Sequence, residues 1–520
     1  MISITAQKIS PDQMIEFDSH RFYRLLEGGL PREGFSFLDP SLPPAPANSA
    51  NIDLSAVSEL IGADNPHLPV PSPEALYVIA GQQAGLLTGP LYTFLKAVSV
   101  ITLARELTER SGQMVLPLFW IASEDHDILE VNRVVIRGEK FVVPPPSPLT
   151  RGQMPQVGDI SLTESKAPLL AFLGKQLPPT EFTEWVRDHV AAADFTNYAT
   201  AFQSLLSPLF EQWKLRFVNP ASLRSLTGPV LANLVELWPG VIEALLAGGA
   251  RLEKIGFTAP LSGARIYELQ GGCRVPVDLD EQGGLISTGR RSLSEIAAEI
   301  RARPADFSPS AALRPICQDG ALPSAATIGG PTELLYLWQI ESCYDLIHLA
   351  PSPRFSRRSA TFVSDSDERR AAKSGLIGPQ LFSLPALMRN AAAKKDSSSS
   401  DNPELQMIEK LGDALLGGID QITPVDPPRY LRSGRSSIDK GITRIVSGLR
   451  QDHLSERGLD LARLQKLEQI LCPNGRLQER NLNIFQLLNQ HGPEFIGSVI
   501  GALDPLAARH QLVTISSREE

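Results

Sequence analysis

A chain of 520 residues exceeds one compact core of ordinary size, so a large domain with at least one further unit is expected. Hydrophobic residues at 42% and charged ones at 21% exclude a disordered chain, and a formal charge of −9 argues against a nucleic-acid or anionic-membrane surface over the whole protein. No apolar run reaches the roughly 18 residues of a transmembrane helix, and the four dispersed cysteines form no CxxC pair, as suits reduced thiols in a cytoplasm.

Residues 1–75 are rich in Pro, Asp and Ser, offer no signal peptide, and carry helical turns near Met14–Leu25 and Leu54–Ile61 that are expected to wrap a sheet. The first core unit is read from Leu76 to Val135. Leu76–Ala80 is a short apolar run that stops at Gly81, as a buried parallel strand should. In the loop Gly81–Pro90, Gly81, Gly85 and Gly89 allow tight turns, and Pro90 suits the first turn of a helix. Leu91, Leu95, Val98 and Ile101 then recur at helical spacing until Ser111-Gly112. A second apolar run, Val115–Ala122, gives way to Ser123-Glu124-Asp125-His126-Asp127. Ligands of open parallel sheets gather at the carboxyl ends of strands, where both polar clusters lie.

Arg133–Val143 reads as a strand pair, followed by a Pro-rich excursion from the sheet. Residues 160–215 read as helices, Leu215–Asn219 as a strand before a candidate ligand loop at Pro220-Ala221-Ser222, and Gly228–Leu246 as a helix. Ala264–Leu269, Cys273–Val277 and Leu285–Ser287 suggest a small antiparallel insertion turning at Gly271-Gly272. Leu313–Asp319 and Ser324–Gly330 resemble core strands, and Pro331-Thr332-Glu333 starts a helix. Beyond a low-complexity hinge near residue 390, Ile438, Ile442, Ile445 and Leu449 share a face, and Leu464, Leu467 and Leu471 resume the pattern. This predicts an antiparallel helical arm or short coiled coil. A turn at Pro473-Asn474-Gly475, a helix and a final strand, LVTI, complete the sequence.

Glu124, Asp125, His126 and Asp127 place three carboxylates and one imidazole in four positions. In an extended turn Asp125 and Asp127 share one side, Glu124 and His126 the other. Carboxylates bind an ammonium or a magnesium ion, and histidine moves a proton near neutral pH; a helix N-cap is the structural alternative. GQQAGLLTGP lacks the Gly-Lys-Ser/Thr of a Walker A loop and does not fit the dinucleotide fingerprint. Gly81, Gln82, Gln83, Gly85, Thr88 and Gly89 still form a candidate site for a carboxylate or phosphate at the following helix. Lys96 on that helix is within reach of an anion, although a lone lysine is more often solvated. Gly329, Gly330, Glu333 and Tyr336 repeat the order of glycine then helix start. Arg354, Ser356, Arg357 and Arg358 form either a phosphate-contacting loop or a solvated basic turn.

VIAGQQAGLLTGPLYTFLKA and PLFWIASEDHDILEVN resemble the two signature blocks of the bacillithiol biosynthesis cysteine-adding enzymes, the BshC cysteine ligase family. LRPICQD, TIGGPTELLYLWQ, APSPRFS and CPNGRLQERN resemble later family blocks in the same order; Ala80, Ala84 and Ser123 depart from the expected Thr, Pro and Gly. The resemblance implies an α/β fold whose Rossmann-like parallel-sheet core is related to class I aminoacyl-tRNA synthetases and nucleotidyltransferases. That core spans residues 1–390, with connecting-peptide insertions at 140–215 and 245–310. A helical antiparallel coiled-coil arm covers 391–472, and a helical segment at 473–520 packs back on the core.

The implied reaction joins L-cysteine to the amine of glucosaminyl-malate in the last step of bacillithiol biosynthesis, with ATP or ADP as the expected cofactor and a divalent metal left open. Glu124, Asp125, His126 and Asp127 take the catalytic roles, and the quoted blocks add Tyr92 and Asn132 to the binding candidates. Neither the HxGH nor the KMSKS motif of class I synthetases is present; TGPLY and RFSRRS occupy comparable places. A cytoplasmic homodimer through the arm is expected, with no nucleic-acid or membrane partner. A metal-dependent hydrolase using the EDHD cluster and a non-catalytic ligand-binding or assembly protein are the alternatives.

Overall fold

Strand β2 (Leu76–Gln82) is the middle strand of a five-stranded parallel sheet ordered β12 (Arg354–Ser356), β11 (Ser324–Gly329), β2, β3 (Val115–Ile121) and β7 (Arg216–Val218). The computed structural model describes residues 2–14, 20–26, 52–146, 154–277, 291–385, 403–422, 461–504 and 509–517, with single positions between 434 and 445. Side chains alternate across the strands, so Val78, Ala80 and Phe119 pack on the helix Tyr92–Ser111, while Tyr77, Ile79, Leu118 and Trp120 pack on Val57 and Ile61 of the helix Leu54–Asp64. Both faces are covered, which explains why β2 and β3 read as continuous apolar runs. The chain builds outward from β2 through β3 to β7, then crosses back to place β11 and β12 on the other side. The order reverses between β2 and β11, and the crevice at their carboxyl ends is the topological switch point.

The expected strand Leu313–Asp319 is instead the helix Arg314–Ala321, with Pro315 in its first turn. Leu313, Ile316 and Cys317, all buried, sit at i, i+3 and i+4, a helical spacing that so short a segment does not set apart from a strand. This helix belongs to a second core with the helices Arg224–Glu236, Trp238–Lys254, Leu293–Ala302 and Pro331–Gln339.

The strand pair expected at Arg133–Val143 is the hairpin of β4 (Arg133–Ile136) and β5 (Glu139–Val142). The small insertion is an antiparallel sheet ordered β10 (Phe307–Pro309), β8 (Ile266–Gln270), β9 (Cys273–Val277) and β6 (Met154–Pro155), with Gly271 and Gly272 at positive φ in its tight turn. Leu285–Ser287, the hinge at 391–402 and Leu449 lie outside the described residues. The helix Pro403–Ile422 falls in the segment expected as an arm, with Gly412 against Ile442, whereas the helix Leu461–Leu471 buries Leu464, Leu467 and Leu471 in the second core. No single helix among the described residues is long and apolar enough to cross a membrane.

A third sheet joins the two ends of the chain. β14 (His510–Ser517) lies between β1 (Ile2–Lys8), antiparallel to it, and β13 (Ser359–Ser364), parallel to it. Beneath it Ser359 donates to Glu479 Oε2 at 2.8 Å, so its oxygen accepts from Nδ1–H of the fully buried His510 at 2.7 Å, while His510 Nε2 accepts from Thr361 at 2.9 Å. Burial disfavours the charged ring, and it is the neutral ring whose Nε2 accepts from the Thr361 hydroxyl. Burial lowers the His510 pKa from 6.5 to about 4. The folded state therefore binds fewer protons than the unfolded one between these values. The stability contributed is complete above pH 6.5 and is lost as pH falls towards 4, about 3 kcal/mol in all. Urea unfolding from pH 7 to 4 should show this slope, flattened by that amount in H510Q; an unchanged slope in H510Q would place its origin elsewhere.

Candidate functional site

At the switch point Lys96 is buried, and its Nζ donates to the Gly81 carbonyl at 2.5 Å and to Glu333 Oε2 at 2.6 Å. The same Glu333 oxygen accepts from Gly330 N–H at 3.2 Å, and Oε1 accepts from the Tyr336 hydroxyl at 3.2 Å and lies 3.7 Å from Arg314 Nη2. Arg314 donates to Gln318 at 3.1 Å and sits over the Trp120 ring at 5.7 Å. Its guanidinium also lies 3.3 Å from where a Cβ on Gly81 would be, so Gly81 lets the cation approach the strand end. Burial pushes the Glu333 carboxyl up, but Lys96 and Arg314 outweigh it and hold the group below its ordinary value. Two cations face one carboxylate, which leaves a net positive charge in the crevice. This overturns the solvated reading of Lys96: a lysine one turn into a helix is drawn under the sheet edge by an acid far away in sequence.

The second cluster follows β3. Its backbone turns at Ser123-Glu124 and reaches the short helix Ile128–Val131 within four residues. Asp125 Oδ1 accepts from the amides of His126 at 2.7 Å and Asp127 at 3.4 Å, and its other oxygen accepts from Gln83, which also donates to Glu130 at 3.0 Å. Gln83 thus ties the loop after β2 to the turn after β3. Glu124 is buried and accepts from Nε and Nη2 of Arg224, each at 3.2 Å; Arg224 also reaches Gln156 at 2.8 Å. Asp127 is exposed at the N-cap of the short helix Ile128–Val131 without a side-chain capping bond. The His126 ring is half-buried against Tyr267, centroids 5.5 Å apart.

Gly158 locks this turn. Its N–H donates to the Ser123 carbonyl at 2.8 Å, and a Cβ there would stand 2.4 Å from Ser123 Cβ and 3.0 Å from its Cα. G158A is expected to cost about 1–3 kcal/mol and to displace the turn. A urea midpoint equal to that of the wild-type protein would show that the turn yields freely.

Other expected binding residues have structural partners. Leu87, Thr88 and Gly89 all take positive φ, and Gly85 approaches Gly89 so closely that a Cβ on it would stand 2.9 Å from Gly89 Cα. Asn483 clamps this turn by donating to the carbonyls of Leu87 at 2.7 Å and Gly89 at 2.8 Å. The amides of Gly85, Gly89, Leu91 and Thr93 already donate to backbone carbonyls, so they form no phosphate cradle. Asn132 holds the β4–β5 hairpin through the Val143 carbonyl. Arg354 lies in β12, buried, and donates to the Leu337 carbonyl; the neighbouring Ser356 hydroxyl donates to the Arg357 carbonyl. The candidate basic loop is therefore strand and buried network, with Arg357 paired to Glu479 at 2.5 Å. Tyr92 lies beneath Arg357, 5.6 Å from ring centroid to guanidinium, and hydrogen-bonds the Gln82 side chain. Gly329 packs against Glu333 and Leu334.

Arg314, Arg224, Arg274, Tyr267 and Asn483 were not among the sequence-derived candidates. Arg224 follows the loop at 220–222 that sequence did single out, and helical spacing in LRPICQD would have placed Arg314 at a helix start. Nothing local marks the others, which come from distant elements. Among the described residues no group of three His, Cys, Asp or Glu side chains is arranged to hold a metal ion, so the EDHD cluster offers a hydrolase no donor set there. Lys96 and Arg314 are the groups that fit nucleotide phosphates.

The N-terminal Rossmann-like domain of bacillithiol biosynthesis BshC matches residues 69–357, and the C-terminal coiled-coil domain of the same family matches residues 430–515. A relative from Salinibacter ruber is 29% identical over 458 residues, covering 85% of this chain and 83% of its own. One from Geobacillus thermodenitrificans is 29% identical over 473 residues, covering 85% and 84%. Both bear names that propose them as the cysteine ligase BshC. A solved structure from Campylobacter jejuni described as an arginyl-tRNA synthetase covers 88% of this chain and all of its own, but at 12% identity and a TM-score of 0.19 it carries no argument. The Rossmann-like match spans more than half of the sequence and coincides with the sheet that builds the site, so this chain belongs to the BshC family of bacillithiol biosynthesis.

Proposed function

We propose that the protein is a ligase that joins the carboxylate of L-cysteine to the amine of glucosaminyl-malate as an amide. The observation that carries this reading is the meeting of a net-positive crevice at Lys96, Arg314 and Glu333 with the Glu124–Asp127 turn, in a chain whose relatives are named for cysteine ligation. Lys96 and Arg314 bind an anionic group, either the cysteine carboxylate or the phosphates of ATP. ATP, when bound, turns a carboxylate oxygen into a leaving group. Glu124 is engaged by Arg224, so Asp125 and Asp127 are the acids that attract a substrate ammonium. His126 accepts the proton that the acceptor amine loses as its nitrogen bonds to the cysteine carbonyl carbon.

The reaction belongs to the cytoplasm, where thiols stay reduced. The helical arm pairs two chains: exposed Met407, Leu411 and Leu415 of the helix Pro403–Ile422 recur every four residues, an apolar stripe that supports a helical partner.

The test is to incubate the full-length protein with cysteine, glucosaminyl-malate and ATP under reducing conditions, following product mass and AMP or ADP. Product with matching nucleotide release is expected. Absence of product, with an active family member working alongside, overturns the ligase reading; product without nucleotide turnover overturns only the use of ATP.

A further inference from the structure

The inserted antiparallel sheet reaches the EDHD turn through two side chains. Tyr267 on β8 is buried, with the His126 ring 5.5 Å away and tilted by 55°. The Arg274 guanidinium, on the neighbouring strand β9, lies 4.0 Å from the centroid of the same tyrosine. Arg274 is itself buried, fixed by Nε donating to Ser308 at 3.0 Å and Nη2 donating to the Pro309 carbonyl at 2.6 Å, both on β10. Three strands of the insertion thus hold one cation against one aromatic ring, and that ring against the histidine. Among the described residues no carboxylate forms an ion pair with Arg274, although Glu124 and Asp125 of the turn lie close enough to favour its charge. His126 Nδ1 is buried without a hydrogen-bond partner, and Asp125 Oδ1 stands 3.8 Å away, so no hydrogen bond fixes that nitrogen.

We infer that Tyr267 and Arg274 are positioning residues for His126: the insertion packs an aromatic wall and a fixed cation beside the imidazole, orienting the ring and keeping it neutral so that it accepts a proton. The inference rests on the proton-accepting role proposed above for His126, but its geometry does not depend on which substrate is joined. The charged groups facing the ring are Asp125 and Asp127 from its own turn, and Arg274 and Arg265 from the insertion. The carboxylates favour the imidazolium and the arginines oppose it. Burial, the largest influence, also opposes the charged form, and the net direction is downward. A buried cation held against the same aromatic ring acts through low-dielectric material, where its field is weakly screened.

The experiment is a titration of His126 by NMR in the full chain with 13C-labelled histidine and no substrate, its resonance identified by loss in H126N. In R274Q the titration midpoint is expected to move up from the wild-type value, and R274K, which keeps the charge, is expected to return most of the way. In Y267A the ring gains solvent, and its midpoint should also rise. Midpoints in folded R274Q and Y267A equal to the wild-type value overturn the inference. If R274Q does not fold, Y267A decides alone. Because no substrate is present, a failed ligase assay leaves this result standing, and an unmoved titration leaves the ligase reading standing.

Discussion

Replacing Glu333 by alanine is expected to destabilise the protein by about 3–5 kcal/mol, more than any other single change at the switch point. The carboxylate neutralises Lys96 at 2.6 Å and Arg314 at 3.7 Å, and the side chains of these two cations are only 6% and 12% exposed. Removing it leaves two buried like charges facing each other. K96M removes one of the cations instead and leaves Glu333 with Arg314, so a smaller loss of about 1–3 kcal/mol is expected. Urea denaturation of both variants checks the ordering; K96M proving the more damaging would mean that Arg314 does not share the carboxylate. In the ligase assay, normalised to folded protein, E333A should also lose roughly 10²–10³-fold in rate, because the crevice no longer presents an ordered pair of cations to an anion.

Replacing His126 by asparagine is expected to lower the rate of amide formation by about 10²–10⁴-fold while leaving the unfolding midpoint nearly unchanged. The two outcomes separate because the ring is half-exposed and its buried nitrogen makes no hydrogen bond, so little stability depends on it. The pH dependence is fixed in sign. Burial first, then Arg274, lowers the His126 pKa from its ordinary 6.5, against the pull of Asp125 and Asp127. The neutral ring that accepts a proton is therefore the main form at pH 7, and activity should decline only as pH drops through a midpoint below 6.5. A profile of kcat/KM against pH tests this; an acidic limb centred above 7, or full activity in H126N, would falsify the proton-accepting role.

The sequence alone determined the opening parallel-sheet unit and its polar strand ends, and the family resemblance supplied its Rossmann-like character. The apolar runs at Leu76–Ala80 and Val115–Ala122 are buried on both faces, and burial on both sides writes an uninterrupted hydrophobic signal. The abrupt change to Gly81-Gln82-Gln83 and to Glu124-Asp125-His126-Asp127 marked the carboxyl ends of those strands, because that edge of a parallel sheet is where the chain meets solvent. The glycine-then-helix pattern at Gly329–Glu333 was legible for the same reason. Leu313–Asp319 was misread because a seven-residue segment with only Leu313, Pro315, Ile316 and Cys317 apolar fits strand and helix alike, and only its packing among the helices of the second core decides. β1 escaped notice, since a short strand at a chain end gains its stability from β14, some 500 residues away.

What tertiary structure decided was which of the polar residues share a site. Lys96 and Glu333 are 237 positions apart, and Glu124 and Arg224 are 100 apart. Each is unremarkable in its own segment, and each pair forms only when the sheet order brings β11 beside β2, or β7 beside β3. Conversely, Gly85, Thr88 and Gly89 looked like a ligand cradle because a glycine-rich turn before a helix is locally the same whether its amides are free or already bonded. Asn483, almost 400 residues downstream, bonds the Leu87 and Gly89 carbonyls of that turn, a partnership no local pattern shows. Local sequence records the backbone shapes and charges available, because these depend on neighbouring residues. Partnership between charges depends on distances that only the folded sheet sets.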